Sequence, residues 1–166
     1  MAKHKDEKTN VMRILDQRRI PYAAHSCEET ESPLGDRAYG EHIARTLGQD
    51  VDRVYKTLVA RGAKGAAYVF CIPAAESLDL RKAARAVGEK SIELIAVKEL
   101  LPLTGYVRGG CSPVGMKKQF PTVFHRAAPE HETIFVSAGR IGAQIELSPA
   151  DLIALVGAEV ADIIAE

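Results

Sequence analysis

Gly105 to Lys118 holds the residues best placed to do chemistry, with Arg108, Gly109, Gly110, Cys111, Ser112, Gly115, Lys117 and Lys118 in a short span. Adjacent Gly109 and Gly110 lack side chains, so φ > 0 is open and a ligand or strand can approach the main chain. Pro113 holds Ser112 in an extended or turn geometry. Exposed N–H groups beside cationic charge suit a carbonyl oxygen or a phosphate. The alternative is a tight loop between strands, because Gly and Pro first of all punctuate structure.

Lys56 is the second candidate. In the apolar run Val54–Ala60, alternation places Val54, Lys56 and Leu58 on one face and Tyr55, Thr57 and Val59 on the other. Such a lysine either lies on a solvated or edge face or points into a cleft that holds an anion. Cys111 sits inside the glycine-rich stretch, where N–H groups could lower its pKa. A free cysteine is more often a small buried hydrophobe, Cys71 in its apolar strand above all. No Gly-x-Ser-x-Gly elbow is present, since Pro113 follows Ser112 and Ala138-Gly139 follows Ser137. His4, His25, His42, His125 and His131 show no ligand spacing. No metal is expected, and Glu130-His131-Glu132 reads as a polar loop.

These residues need elements to carry them. Residues 1–8 are charged, lack apolar periodicity and read as a disordered tail, leaving 9–166 as one domain. Thr9 or Asn10 caps a helix bearing Val11, Ile14 and Leu15, and a short strand follows over Tyr22–Ser26. Residues 27–36 read as an exposed loop. Tyr39, Ile43, Ala44 and Leu47 mark a helix stopped by Gly48. Val54–Ala60 and Ala66–Pro73 form a hairpin around Arg61–Gly65. Asp79 caps a helix from Leu80 to Val87, closed by Gly88. Ser91–Ala96 is strand-like, and Lys98–Leu101 is a helical turn halted by Pro102. Strands are expected over Val123–Arg126, Thr133–Ser137 and Ala143–Leu147. Ser148-Pro149-Ala150-Asp151 starts the last helix or pair of helices, broken near Gly157. Strands in neighbouring pairs argue for α+β with a largely antiparallel or mixed sheet.

Composition narrows the function. The chain has 166 residues, 46% hydrophobic and 27% charged, ordinary for one soluble globular domain. Its 22 basic and 22 acidic side chains balance, so bulk electrostatic binding of DNA or RNA is disfavoured. A local basic face remains open to Arg108, Lys117, Lys118, Arg126 and Arg140. Three cysteines, Cys27, Cys71 and Cys111, without Cys-x-x-Cys spacing, read as reduced thiols in the cytoplasm. The N-terminus has no signal-peptide core, and no run is long enough to span a membrane.

The Tyr55-Lys56-Thr57-Leu58 strand, the glycine-rich stretch, Ser137-Ala138-Gly139-Arg140 and Gln144–Leu152 together resemble the YbaK/EbsC family of trans-editing aminoacyl-tRNA deacylases. These are relatives of the editing insertion of bacterial prolyl-tRNA synthetase. The resemblance runs from about Val11 to the C-terminus and is strongest to the YbaK branch, which acts on Cys-tRNA(Pro). It implies a curved, partly closed mixed sheet with helices around it. It also implies that Lys56 touches the ester carbonyl or terminal phosphate, with Gly109 and Gly110 presenting main-chain groups to the carbonyl. Tyr39, Thr57, Ser112, Ser137 and Gln144 would line the aminoacyl pocket, with Arg108, Lys117, Lys118 and Arg140 toward the tRNA. Tyr39 otherwise packs in the core, and Ser137 otherwise satisfies the turn at Gly139. Some relatives carry aspartate at the position of Gln144. No cofactor is implied; the partners implied are mischarged tRNA and prolyl-tRNA synthetase. The substrate's own thiol would attack its ester, releasing a thiolactone. The alternatives are water-based removal of alanine or serine, a non-catalytic aminoacyl-tRNA or synthetase-binding module, and a hydrolase unrelated to tRNA.

Overall fold

The computed structural model describes residues 8–26, 44–45 and 47–166. Helix α1 (Asn10–Gln17) begins where the Thr9 hydroxyl accepts the Met12 N–H, and it buries Val11, Met12 and Leu15. Strand β1 (Ala23–Ser26) follows. Lys8, assigned to the tail, pairs with Asp16 of α1 at 2.5 Å. Residues 1–7 and most of the helix expected around Tyr39 lie outside the described residues; Ala44 and Arg45 are helical.

The hairpin forms from β2 (Tyr55–Gly62) and β3 (Ala67–Pro73), in a register that sets Lys56 opposite Ile72 and Thr57 opposite Cys71. Strand β4 (Ile92–Leu94) extends β2 on its far side. Strands β5 (Thr122–His125) and β8 (Glu159–Ala161) add in parallel beyond β3, giving the order β4-β2-β3-β5-β8. A second sheet has the order β1-β7-β6, all antiparallel, with β6 at Ile134–Ser137 and β7 at Ala143–Leu147. A bridge between Val54 and Phe135 joins the sheets where β2 begins. The architecture is the expected mixed α+β domain, but the barrel-like closure resolves into two sheets.

The main core lies between the sheets, with Val59, Val69, Cys71 and Phe124 from one meeting Val136, Ile145 and Leu147 from the other. Helix α1 adds Val11 and Leu15, and α4 (Pro149–Val156) adds Leu152 and Val156. The opposite face of the large sheet packs Phe70 and Ile72 against Ala83 and Ala84 of α2 (Leu80–Val87).

Two expectations are corrected here. Helix α3 runs from Val97 to Thr104, through Pro102. Proline costs a helix its N–H bond to the carbonyl four residues earlier. That carbonyl belongs to Lys98, which is exposed, so water can take its place. Beyond Gly157, left-handed at the end of α4, the chain forms β8 instead of another helix. Three residues suffice because β5 supplies a ready parallel edge.

Candidate active site

Where β2 begins, next to the inter-sheet bridge, the structure has a cavity of about 110 Å³. Drug-sized sites run to roughly 300–1,000 Å³, so this one suits a small acyl group. Its walls include Val54, Tyr55 to Leu58 of β2, Ala74, Leu100 of α3, Arg108, Gly109 and Cys111 of the glycine-rich loop, and Ser137, Ala143 and Gln144 of the small sheet. Lys56, Gly109, Ser137, Thr57, Gln144 and Arg108, far apart in sequence, therefore share one cavity. Tyr39 lies outside the described residues.

Pairing explains how the small sheet reaches the cavity. Ser137 and Gln144 sit directly opposite each other on β6 and β7, so their side chains share a face. Val136 and Ile145 point the other way, into the core. Gln144 is 7% exposed, and its Oε1 accepts from Gln49 Nε2 at 2.6 Å. The Ser137 hydroxyl accepts the Gly139 N–H at 3.1 Å and so closes the turn while lining the cavity. On the same sheet face Glu146 accepts from Thr133, His25 and Arg53, and those bonds hold its carboxyl below the usual range.

The glycine-rich loop is pinned from beneath. Gly109 takes φ +87, a conformation that favours glycine. Gly110 donates its N–H to the Val107 carbonyl at 3.0 Å. A Cβ at Gly110 would lie 3.0 Å from the Arg140 and Ile141 main chain. The expectation that Gly110 offers its N–H to a carbonyl is thus corrected: that N–H closes a turn, and the glycine permits two loops to touch. Gly109 faces the cavity instead. Tyr106 locks the same loops, its hydroxyl donating to the Val114 carbonyl at 2.5 Å while its ring lies against Gly139. Sequence reasoning missed Tyr106, and a lone tyrosine between glycines gave no signal of it.

Ser112 also departs from expectation. It is fully buried, its hydroxyl accepts the Val114 N–H, and it is not part of the cavity wall. Lys117 donates to the Pro102 carbonyl at 3.3 Å, and Lys118 lies 6.0 Å from the Phe120 ring centre. Both are exposed, and neither they nor Arg140 line the cavity.

Cys111 lines the cavity at 8% exposure, and no histidine lines it among the described residues. Cys71 lies wholly buried beneath, its thiol pushed up to about 12 by burial although Thr57 opposes the shift. A thiol held protonated is a poor nucleophile. Among the described residues, no group of three or more His, Cys, Asp or Glu side chains could hold a metal ion. No helix among them is long and apolar enough to cross a membrane.

The profile of the aminoacyl-tRNA editing domain matches residues 37–155. EbsC of Enterococcus faecalis (strain ATCC 700802 / V583), described as a candidate Cys-tRNA(Pro)/Cys-tRNA(Cys) deacylase, is 43% identical over 164 residues, 98% of each chain. A crystal structure of a candidate trans-editing enzyme for prolyl tRNA synthetase matches with TM-score 0.79 and 27% identity, covering 96% of this chain and 100% of that one. A second crystal structure, of a hypothetical protein, matches with TM-score 0.83 and 25% identity over 95% of this chain and 100% of that one. With the profile spanning most of the chain and a relative matched end to end, the protein belongs to the aminoacyl-tRNA editing domain family.

Proposed function

We propose that this protein is a trans-editing aminoacyl-tRNA deacylase that removes cysteine from mischarged Cys-tRNA(Pro) in the cytoplasm. The observation that carries the reading is one small cavity in which Lys56, Gly109, Ser137 and Gln144 meet and which no histidine lines among the described residues. An aminoacyl ester is already activated, so orientation and carbonyl polarisation are the main requirements. Lys56 and the Gly109 main chain serve that need by holding the ester carbonyl or the terminal phosphate. The substrate's cysteine thiolate then attacks its own carbonyl carbon. The bond from that carbon to the ribose oxygen breaks, the terminal ribose hydroxyl regains a proton, and a four-membered thiolactone leaves.

Arg108 at the cavity, with Lys117, Lys118 and Arg140 further out, is proposed to meet the acceptor end. Prolyl-tRNA synthetase is the proposed source of tRNA selectivity, because the chain's balanced charge provides little of its own. A filter assay with labelled Cys-, Ala- and Ser-tRNA(Pro) tests the reading. Rapid loss of cysteine with serine nearly untouched is expected. Equal rates for cysteine and serine esters would replace the thiol by a positioned water. No release from any of the three would remove the deacylase reading.

A further inference from the structure

Three of the six large hydrophobic side chains exposed among the described residues gather where α3 meets the glycine-rich loop: Val97, the most exposed of the six, Leu101 and Val107. Each borders a residue of the cavity wall. Val97 and Leu101 stand beside Leu100, since residues three and four apart are neighbours on a helix, and Val107 precedes Arg108. The order around α3 therefore runs from Leu100 at the cavity through Val97 and Leu101 to exposed Lys98. Lys117 reaches the end of the same helix, donating to the Pro102 carbonyl. Glu99 turns away, its carboxylate accepting from the Ala96 N–H and Arg61. The result is a shelf, apolar at the cavity rim and cationic beyond it.

We propose that Val97, Leu101 and Val107 seat the terminal adenine base of the tRNA, with Lys98 and Lys117 toward the adjoining phosphate. The inference rests on the aminoacyl-ester reading of the cavity. The ester joins the acyl group directly to the terminal ribose. An acyl group held in a cavity of about 110 Å³ therefore leaves ribose and base at its mouth. A base has a broad face that gains from leaving water, so aliphatic side chains can hold it without reading its edges. The phosphate charge matches the lysines. Three aliphatic side chains are too small a patch for a second protein, since a stable interface buries roughly 800 Å² per partner. The shelf thus supplies affinity for the nucleoside, while the cavity selects the acyl group.

The test is calorimetric binding of 3′-cysteinylamino-3′-deoxyadenosine, a stable amide analogue, and of the same compound with hydrogen in place of the base. Wild type should bind the adenosine compound about tenfold or more tightly. Val97→Ser with Leu101→Ser should remove most of that preference and leave the base-free compound within about twofold of wild type. General damage to the cavity would not produce that asymmetry. Leu101→Phe should tighten the adenosine compound several-fold, because an aromatic ring stacks on a base. Leu80→Ser, at an exposed position on α2 across the large sheet, should change neither. Equal wild-type affinities, an unchanged preference in the double serine variant, or no binding of either compound would overturn the proposal. So would a double serine variant that loses only binding to prolyl-tRNA synthetase, which would make the shelf a protein-docking face. Should that variant fail to fold, Leu101→Phe decides, and an affinity no tighter than wild type would overturn the proposal. Deacylation of Cys-tRNA(Pro) without base preference would sink this inference alone. A base preference lost in the serine variant, in a protein that deacylates no tRNA, would sink the deacylase reading alone.

Discussion

Lys56 occupies a half-buried position in β2, beside the cavity and opposite Ile72. Because its methylenes and not a packed core would be lost, Lys56→Ala should cost little stability, within about 1 kcal/mol. Deacylation should nevertheless fall at least a hundredfold. Circular dichroism beside a single-turnover assay checks both, and a folded, active variant would remove Lys56 from the chemistry. Cys111→Ala should retain most activity, since the proposed nucleophile belongs to the substrate; a folded but inactive Cys111→Ala would return it to the enzyme. The alternation of Val54–Ala60 made the Lys56 choice visible as two options, and only the tertiary placement of Ser137 and Gln144 favours the cleft. Gly110 was not legible in the same way. Its N–H bond to Val107 is local, but the approach of Arg140 and Ile141 comes from a turn thirty residues later.

At the scale of elements, the glycine-rich loop and the 137–142 turn hold each other in register. Gly110→Ala would thrust a Cβ to 3.0 Å from rigid main chain. Separating the loops should cost about 1–3 kcal/mol by analogy with overpacking, and activity should drop more steeply than stability. Thermal melts compared with deacylation rates check this; an unaffected rate would mean the loops are not coupled. Asp79 gives a contrasting case remote from the cavity. Its carboxylate accepts the Arg81 and Lys82 N–H groups at the start of α2. Asp79→Ala should cost about 1 kcal/mol and leave the catalytic rate intact. This helix was readable residue by residue, from Asp79 to Gly88, because caps and periodicity are local. Strand β8 was not, since three residues carry no period and their partner β5 lies far back in the chain.

For the whole molecule, buried titratable groups set the pH range of stability. Burial of Cys71 raises its thiol from the ordinary 9.0 to about 12, and burial raises Tyr106 from 10.0 to about 12. Their unfolded forms lose protons first, so stability present below pH 9 should fall as pH rises from about 9 to 12. Each group titrating only in the unfolded chain removes about 1.4 kcal/mol per pH unit. On the acid side, burial lowers His125 from 6.5, with Asp162 opposing and Arg126 assisting. The unfolded histidine takes its proton first, so stability present above pH 6.5 should decline as pH falls below it. His125 Nδ1 also accepts the Ile163 N–H at 3.4 Å, and protonation would remove that acceptor. Denaturant titrations across pH should therefore give a plateau between about 6.5 and 9, and a curve still rising at pH 10 would contradict it. None of this was readable from composition, which shows the ionisable groups but not which of them are buried. The central claim, a deacylase whose cavity acts through Lys56, is tested most directly by single-turnover release of cysteine from Cys-tRNA(Pro). Fast release by wild type and at least hundredfold slower release by folded Lys56→Ala is the expected result; rates within threefold of each other would contradict it.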